Sequence, residues 1–179
     1  MTRAIRPARS RIGAGVSVTT SLRFVFLSLV VGLTIGCDRV TKHMATTLLA
    51  DQPTRSFLAD SLRLTYAENT GGFLSLGAEL PPVVRTGLFT VATGVVLLGL
   101  LVWLLRSPWS SWRALGFALF FAGGVSNWVD RVLRGSVVDF LNVGIGGLRT
   151  GIFNVADVAI MLGIALFVFT EWSVRGKPE

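Results

Sequence analysis

Residues 127–157 read NWVDRVLRGSVVDFLNVGIGGLRTGIFNVAD and join two very apolar stretches of the chain. Three carboxylates fall in them. Asp130 closes one apolar stretch, Asp139 lies in the connection, and Asp157 stands inside the next apolar run with no charged residue near it in sequence. A charge at mid-bilayer costs roughly 2.5–3.5 kcal/mol even on lenient insertion scales, so an aspartate in such a run marks a functional site by default.

Composition supports a bilayer as the solvent. At 179 residues the chain suits one domain, and 51% apolar with 15% charged residues is far from a soluble average. Thr86 to Leu105 is twenty uncharged residues, Ala114 to Val129 is sixteen, and Gly151 to Thr170 contains only Asp157. Twenty helical residues cover roughly 30 Å, the hydrocarbon thickness, so each stretch can cross, the second by extending toward Trp112. Phe24 to Cys37 offers only fourteen uncharged residues before Asp38, Arg39 and Lys42. That length also suits a signal-peptide h-region, and Gly36-Cys37 is like the end of a lipobox, so a lipoprotein precursor cleaved before Cys37 is one alternative. Against it, Thr34 stands where a large aliphatic residue belongs, and three further apolar stretches follow.

Charge placement predicts topology. With four crossings and a cytoplasmic N-terminus, the inner side carries nine basic residues against two acids, and the remaining eight bases face eight acids. The whole formal charge of +7 then sits inside, as the positive-inside rule requires, and no nucleic-acid partner is needed to explain the basic pI. One cysteine excludes an internal disulfide and a Cys-rich metal site, and the lone His43 cannot make a histidine cluster, so no metal or other cofactor is expected.

The expected fold is a mostly α integral membrane protein. It has four transmembrane helices, a small extracytoplasmic β element and a short interfacial helix. Residues 1–20 read as a flexible basic cytoplasmic tail, 21–172 as a single four-helix membrane domain, and 173–179 as a second cytoplasmic tail. The first helix starts near Ser21 and runs past its charges to about Leu49; Asp38 and Lys42, four apart with the acid first, make a favourable ion pair on one face. Ser56 to Ala59 and Leu62 to Ala67 alternate around an Asp60-Ser61 turn and predict a hairpin. Asn69-Thr70-Gly71-Gly72 breaks that pattern, Phe73 to Leu80 suits the interfacial helix, and Pro81-Pro82 stops it before the second span. SPWSSW at 107–112 is a cytoplasmic turn with interfacial tryptophans. Strands around Val137 to Leu141 and Leu148 to Ile152 pair with the hairpin. Asn127, Asp130 and Arg131 share one helix face, and Asn154 and Asp157 another.

Carboxylate is the chemistry in abundance at one membrane level. Cys37 has no base beside it, and no glycine-flanked serine pairs with a membrane histidine. Two aspartates within hydrogen-bonding distance cannot both ionise, so the pair keeps one acid and one base near neutral pH. That is sufficient for peptide hydrolysis by water. Asp130, with Arg131 adjacent and Arg134 one turn on, reads equally well as an ion-paired carboxylate closing its helix. Asp139 and Asp157 have no cation in reach along the sequence. A non-enzymatic multi-pass protein, such as a transporter subunit relaying protons, is the competing class.

Asp38-x-x-Thr41-Lys42, Glu68-Asn69-Thr70-Gly71, Asn127-x-x-Asp130-Arg131, Val137-Val138-Asp139-Phe140 and Phe153-Asn154-Val155-Ala156-Asp157 follow in this order around four spans. Together they closely resemble the signal peptidase II family, over about residues 22–172. The resemblance implies an aspartic endopeptidase of the bacterial inner membrane, with both termini cytoplasmic and the site on the extracytoplasmic side. It would cleave prolipoproteins immediately before a diacylglyceryl-modified cysteine, working on substrates anchored in membrane lipid, and globomycin-type peptides would be its inhibitors. By motif position Asp139 and Asp157 correspond to the catalytic dyad. Asn69, Gly71, Asn127, Arg131 and Asn154 fall on the polar site, Asp38 and Lys42 are supportive, and Asp130 is structural. Two departures from the family pattern stand out. Ser126 replaces a usual glycine, its hydroxyl expected to tighten helix packing, and Gly72-Phe73-Leu74 shifts an aromatic by one, which bears on how the outer loop covers substrate or inhibitor.

Overall fold

A computed structural model describes residues 18–72, 75–106 and 111–175. The expectations for residues 1–17, Phe73 and Leu74, 107–110 and 176–179 lie outside these. Helix α1, Val18–Leu49, takes in three residues assigned to the N-terminal tail and passes Asp38, Arg39 and Lys42 without a break. It can, because Asp38 and Lys42 pair within the helix at 2.7 Å and both are buried against neighbours. On its other side Leu22, Leu29, Leu33, Val40, Met44 and Leu48 stay exposed, an apolar stripe along the helix.

Strands β1 (Arg55–Phe57) and β2 (Leu62–Asn69) form the hairpin. Its turn is wider than the sequence suggests, because Leu58, Ala59 and Asp60 all take positive φ (53, 50 and 67°). Local side chains hold this costly backbone. Ser61 donates from both N–H and hydroxyl to the Leu58 carbonyl at 3.1 and 2.7 Å, and Asp60 accepts from Ser56 at 2.6 Å and Arg63 at 2.5 Å. Those bonds, Arg63 first and then Ser56, keep the Asp60 carboxyl well below the usual carboxylate range.

The interfacial helix expected over 73–80 is not formed at its described residues. From 75 to 80 the chain makes successive tight turns, with Ser75 at φ 65° and Gly77 at φ 74°. A right-handed helix admits neither. Pro82 then occupies the first helical position, where its missing N–H costs nothing, and opens α2 (Pro82–Arg85). A π-helical segment, Thr86–Ala92, leads into α3 (Thr93–Arg106), giving one rod from Pro82 to Arg106. Trp128 of the next helix donates its indole N–H to the Thr90 carbonyl at 2.8 Å, satisfying a group inside the widened turn.

Helix α4 is Ser111–Arg134, and α5 is Val155–Arg175, three residues past the assigned domain end. Between them β3 (Val137–Ile145) pairs antiparallel with β2, and β4 (Leu148–Arg149) returns along it, giving a four-stranded sheet in the order β1-β2-β3-β4. Strand β3 is four residues longer than expected, and β4 is two residues long because the chain leaves the ladder after Arg149, touching it again where Phe153 bridges Leu141. The sheet packs on the end of α1, with Ala45 and Leu49 buried against Val138 and Phe140.

Among the described residues, three helices are long and apolar enough to cross a membrane: Leu22–Leu49, Pro82–Arg106 and Val155–Ser173. Helix α4 spans 24 residues but carries Ser126, Asn127, Asp130 and Arg131 in its second half, which lowers its hydropathy. These face the protein, all but Arg131 being buried. Helices α4 and α5 meet at glycines: a Cβ on Gly123 would press into the Ala156 carbonyl oxygen, and one on Gly163 would stand 2.5 Å from that of Gly116. Gly123→Ala must therefore push α5 outward beside Asp157. We expect it to destabilise by about 1–3 kcal/mol, the range for overpacking, and to lower activity more than an alanine at the open Gly87; thermal melting in detergent with activity checks this.

Candidate active site

The connection after α4 turns at Gly135, whose φ of +75° suits glycine, and enters β3 so that Asp139 lies opposite Ala67, two residues before the end of β2. Asp139 is 2% exposed. Its Oδ2 accepts from the side-chain amide of Asn69 at 3.0 Å and its Oδ1 from that of Asn154 at 2.6 Å.

Asp157 reaches the same place from the first turn of α5. Asn154 and Asp157 form a reciprocal cap: the Asn154 side-chain oxygen accepts the Asp157 N–H at 2.9 Å, and Asp157 Oδ2 accepts the Asn154 N–H at 3.2 Å. This is the geometry of a capping box, built here from Asn and Asp three apart. Capping occupies only one carboxylate oxygen. The other, Oδ1, accepts the Asn127 amide at 2.9 Å. Both carboxylates line one cavity of about 570 Å³ between α3, α4, α5 and the sheet, whose wall is otherwise largely apolar, with Leu88, Phe89, Val96 and Ile160.

Burial is the main cause that pushes the Asp139 carboxyl up to about 6; the Asn69 hydrogen bond opposes it, and the negative charge of Asp157 adds to it. A raised folded-state value means this group's contribution to stability is fully present below the ordinary carboxylate range and is lost as pH rises through about 6. In Asp157→Asn the repelling charge is gone, so Asp139 should titrate below about 6, read from carboxyl-labelled aspartate by NMR in micelles; an unmoved midpoint would mean the two carboxyls do not sense each other.

Behind the pair lies a buried charged network. Lys42 Nζ donates to Asp38 at 2.7 Å, Asp130 at 2.8 Å and the Asn127 side-chain oxygen at 2.7 Å, which accounts for its three protons. Because Lys42 claims the oxygen of Asn127, the amide nitrogen is the end presented to Asp157. Asp38 Oδ1 accepts the Ala156 N–H at 2.8 Å, tying α1 to the start of α5, and Asp38 Oδ2 accepts the Ser126 hydroxyl at 2.6 Å. The hydroxyl expected to tighten packing thus joins α4 to α1.

Asp130 needs a correction. It does not pair with Arg131 or Arg134 on its own helix; Arg39 meets it at 2.5 Å and Lys42 at 2.8 Å, both from α1. Arg131 turns the other way, donating to the Gly71 carbonyl at 2.6 Å and standing 6.0 Å from the Phe89 ring centroid. The Gly71 N–H donates to the Asn69 side-chain oxygen at 2.9 Å, so Gly71 latches the loop to both residues. A Cβ there would meet the Leu76 carbonyl at 2.5 Å. Glu68, also in that motif, stays outside the cavity and accepts from Ser136 at 3.0 Å and Tyr66 at 2.8 Å. Sequence reasoning missed Arg39 and Phe89. Arg39 sits one residue from Asp38 and three from Lys42, a signal that was available; Phe89 carries none.

Two solved structures, each described as a bacterial membrane enzyme studied by the in meso method, share this fold. One superposes with a TM-score of 0.76 at 24% identity, covering 87% of this chain and 92% of the other. The second has a TM-score of 0.72 at 26% identity over 82% and 92%. Together with the apolar helices, this fold is that of a multi-pass membrane protein.

The sequence profile described as signal peptidase (SPase) II matches residues 30–173, and the chain belongs to that family of proteases. The lipoprotein signal peptidase of Desulforapulum autotrophicum is 36% identical over 147 residues, 81% of this chain and 90% of its own length. That of Thermosynechococcus vestitus is 34% identical over 150 residues, 82% and 90% of the two chains. That of Sphingopyxis alaskensis is 38% identical over 133 residues, 73% and 76%.

Proposed function

We propose that this chain removes signal peptides from prolipoproteins as an aspartic endopeptidase, hydrolysing the bond immediately before a diacylglyceryl-modified cysteine. The observation that carries this is the meeting of Asp139 and Asp157 on one cavity, each held by side-chain amides and neither ion-paired among the described residues. Family membership supports the substrate class.

The pair shares one proton, which this mechanism places on Asp139, leaving Asp157 as the base. Asp157 takes one proton from a water whose oxygen bonds to the scissile carbonyl carbon, and the Asp139 proton stabilises the oxyanion that forms. When the carbon–nitrogen bond breaks, the amine leaves with a proton from the pair, and the signal peptide leaves with the new carboxyl. Asn69, Asn127 and Asn154 hold the two carboxylates, Arg131 and Gly71 hold the loop beside them, and Asp38, Lys42 and Asp130 form the frame. The apolar wall receives the lipidated segment.

In this reading α4 is the fourth crossing. Its 24 residues reach about 36 Å, and the polar side chains of its second half are spent on α1 and on the site rather than on lipid. Both termini are then cytoplasmic, in the bacterial inner membrane, with sheet and site on the extracytoplasmic side. Cleavage of this chain before Cys37 would cut α1 one residue ahead of Asp38, which ties three helices together. Purified protein in detergent should process a diacylglyceryl-modified prolipoprotein and leave the unmodified form intact. Equal cleavage of both forms would overturn the lipid requirement, and cleavage of neither would overturn the peptidase assignment and favour a transporter subunit.

A further inference from the structure

A second cavity, of about 320 Å³, lies on the far side of Phe89 and Arg131 from the carboxylates. The two cavities share those residues as a wall. Its own polar lining is Arg85, Thr70, Thr86 and Thr90. None of the residues placed in hydrolysis except Arg131 borders it.

Its chemistry is a surplus of donors. Arg85 spends Nη1 on the Thr70 hydroxyl at 2.7 Å and the Ala78 carbonyl at 3.0 Å. Arg131 spends its two terminal nitrogens on the carbonyls of Gly71, at 2.6 Å, and Asn127, at 3.3 Å, while its Nε is buried without a partner. Among the described residues neither guanidinium makes an ion pair with a carboxylate. Arg131 also feels the charges of Asp157, Asp139 and Asp130 from its other side, so Arg85 supplies the spare positive charge; with the threonine hydroxyls beside one opening it calls for an anion that only accepts. Apolar surface adjoins that opening: Val132 and Pro82 line it, Val132 half exposed, and Val83, next to Pro82 in the chain, is 83% exposed. The ligand must therefore carry its negative charge at the end of an apolar body.

We propose that this cavity binds the phosphodiester of an anionic glycerophospholipid from the outer leaflet, its acyl chains lying along α2, the π-helical segment and the end of α4. The lipid is a bound component, distinct from the substrate's diacylglycerol, whose head carries no anion. Occupancy acts on the wall shared with the reaction cavity, since Arg131 also holds Gly71.

Native mass spectrometry of the full-length protein tests this without any need for activity. Wild-type protein released from micelles containing equal phosphatidylglycerol and phosphatidylcholine should retain one phosphatidylglycerol, favoured at least about fivefold, the worth of roughly one interfacial cation. Arg85→Gln should remove about fivefold of that preference and Arg85→Lys little of it. Thr86 is exposed on its helix, so Thr86→Val folds and should weaken retention to a smaller extent even if Arg85→Gln fails to fold. Equal retention of the two lipids, or unchanged retention in the variants that fold, would overturn the proposal. Complete displacement by millimolar sodium phosphate would assign the cavity to free phosphate and overturn it too. Because binding is read directly, these outcomes stand apart from the outcome of the peptidase assay.

Discussion

Asp139→Asn and Asp157→Asn are each expected to lower prolipoprotein processing by about 10³-fold or more, with the double variant no worse than the poorer single one. Proton transfer by one positioned group contributes about 10²–10⁴-fold, and here each carboxyl needs the other in the opposite protonation state, so the losses do not add. Folding should survive. The amide introduced by Asp139→Asn keeps one oxygen for the side-chain N–H of Asn69 or Asn154, and the amide introduced by Asp157→Asn keeps one for the Asn154 N–H that caps α5. Asp139→Asn also removes a carboxyl whose burial opposes its charge, which offsets the amide donor left without an acceptor, so it should stay within about 1–3 kcal/mol of wild type at pH 7. Rates with purified protein and a lipidated precursor check the first point, and melting in the same detergent the second. Wild-type turnover by either single variant would remove that residue from the proposed pair.

Lys42→Met is the second large effect, and it should appear first in stability. Removing Lys42 leaves Asp38, 0% exposed, and Asp130, 1% exposed, with Arg39 as the one remaining cation of the cluster among the described residues. Breaking a buried pair from one side costs about 3–5 kcal/mol, because a charge is left uncompensated. Adding Asp38→Asn should recover much of that loss. Activity should not return with stability. Without Lys42 the Asn127 oxygen keeps only the longer bond from the Asn154 side-chain amide, at 3.2 Å, so its amide is held less firmly and Asp157 can lose the donor on its Oδ1. Melting and turnover of the single and double variants separate the two roles: recovery of both together would mean that Lys42 only holds the helices.

How far the sequence reaches depends on whether a residue's partners lie within a few positions of it. Asp38 and Lys42 are one helical turn apart, and Asn154 and Asp157 are three apart, so spacing alone gives the face they share, and the structure places both pairs there. Two-residue alternation located the hairpin for the same reason. The partners of Asp130 come from α1, 91 residues away for Arg39, and no local rule chooses them over the adjacent Arg131. The contact of Trp128 with the Thr90 carbonyl inside the π-helical segment spans 38 residues, beyond any local pattern. The turn at Leu58 to Asp60 carries no glycine to betray its left-handed backbone, and its side-chain bonds to Ser56 and Arg63 are what permit it. Residues 75–80 look amphipathic, yet Ser75 and Gly77 bend them into turns that meet Gly71 and Gly72. Motif order named the five residues of the carboxylate pair and its asparagines. Their joining to a charged frame through Lys42 is a tertiary fact.

The central claim is that two carboxylates deliver a water directly to the scissile carbonyl. A single turnover in water enriched in oxygen-18, with enzyme in excess over a lipidated precursor, tests it most directly. One heavy oxygen should appear in the new carboxyl of every signal peptide, and none in Asp139 or Asp157 when the digested enzyme is weighed. A signal peptide without the label, with the heavy oxygen in an enzyme aspartate instead, would mean that the carboxylate itself attacks and would contradict the proposed mechanism.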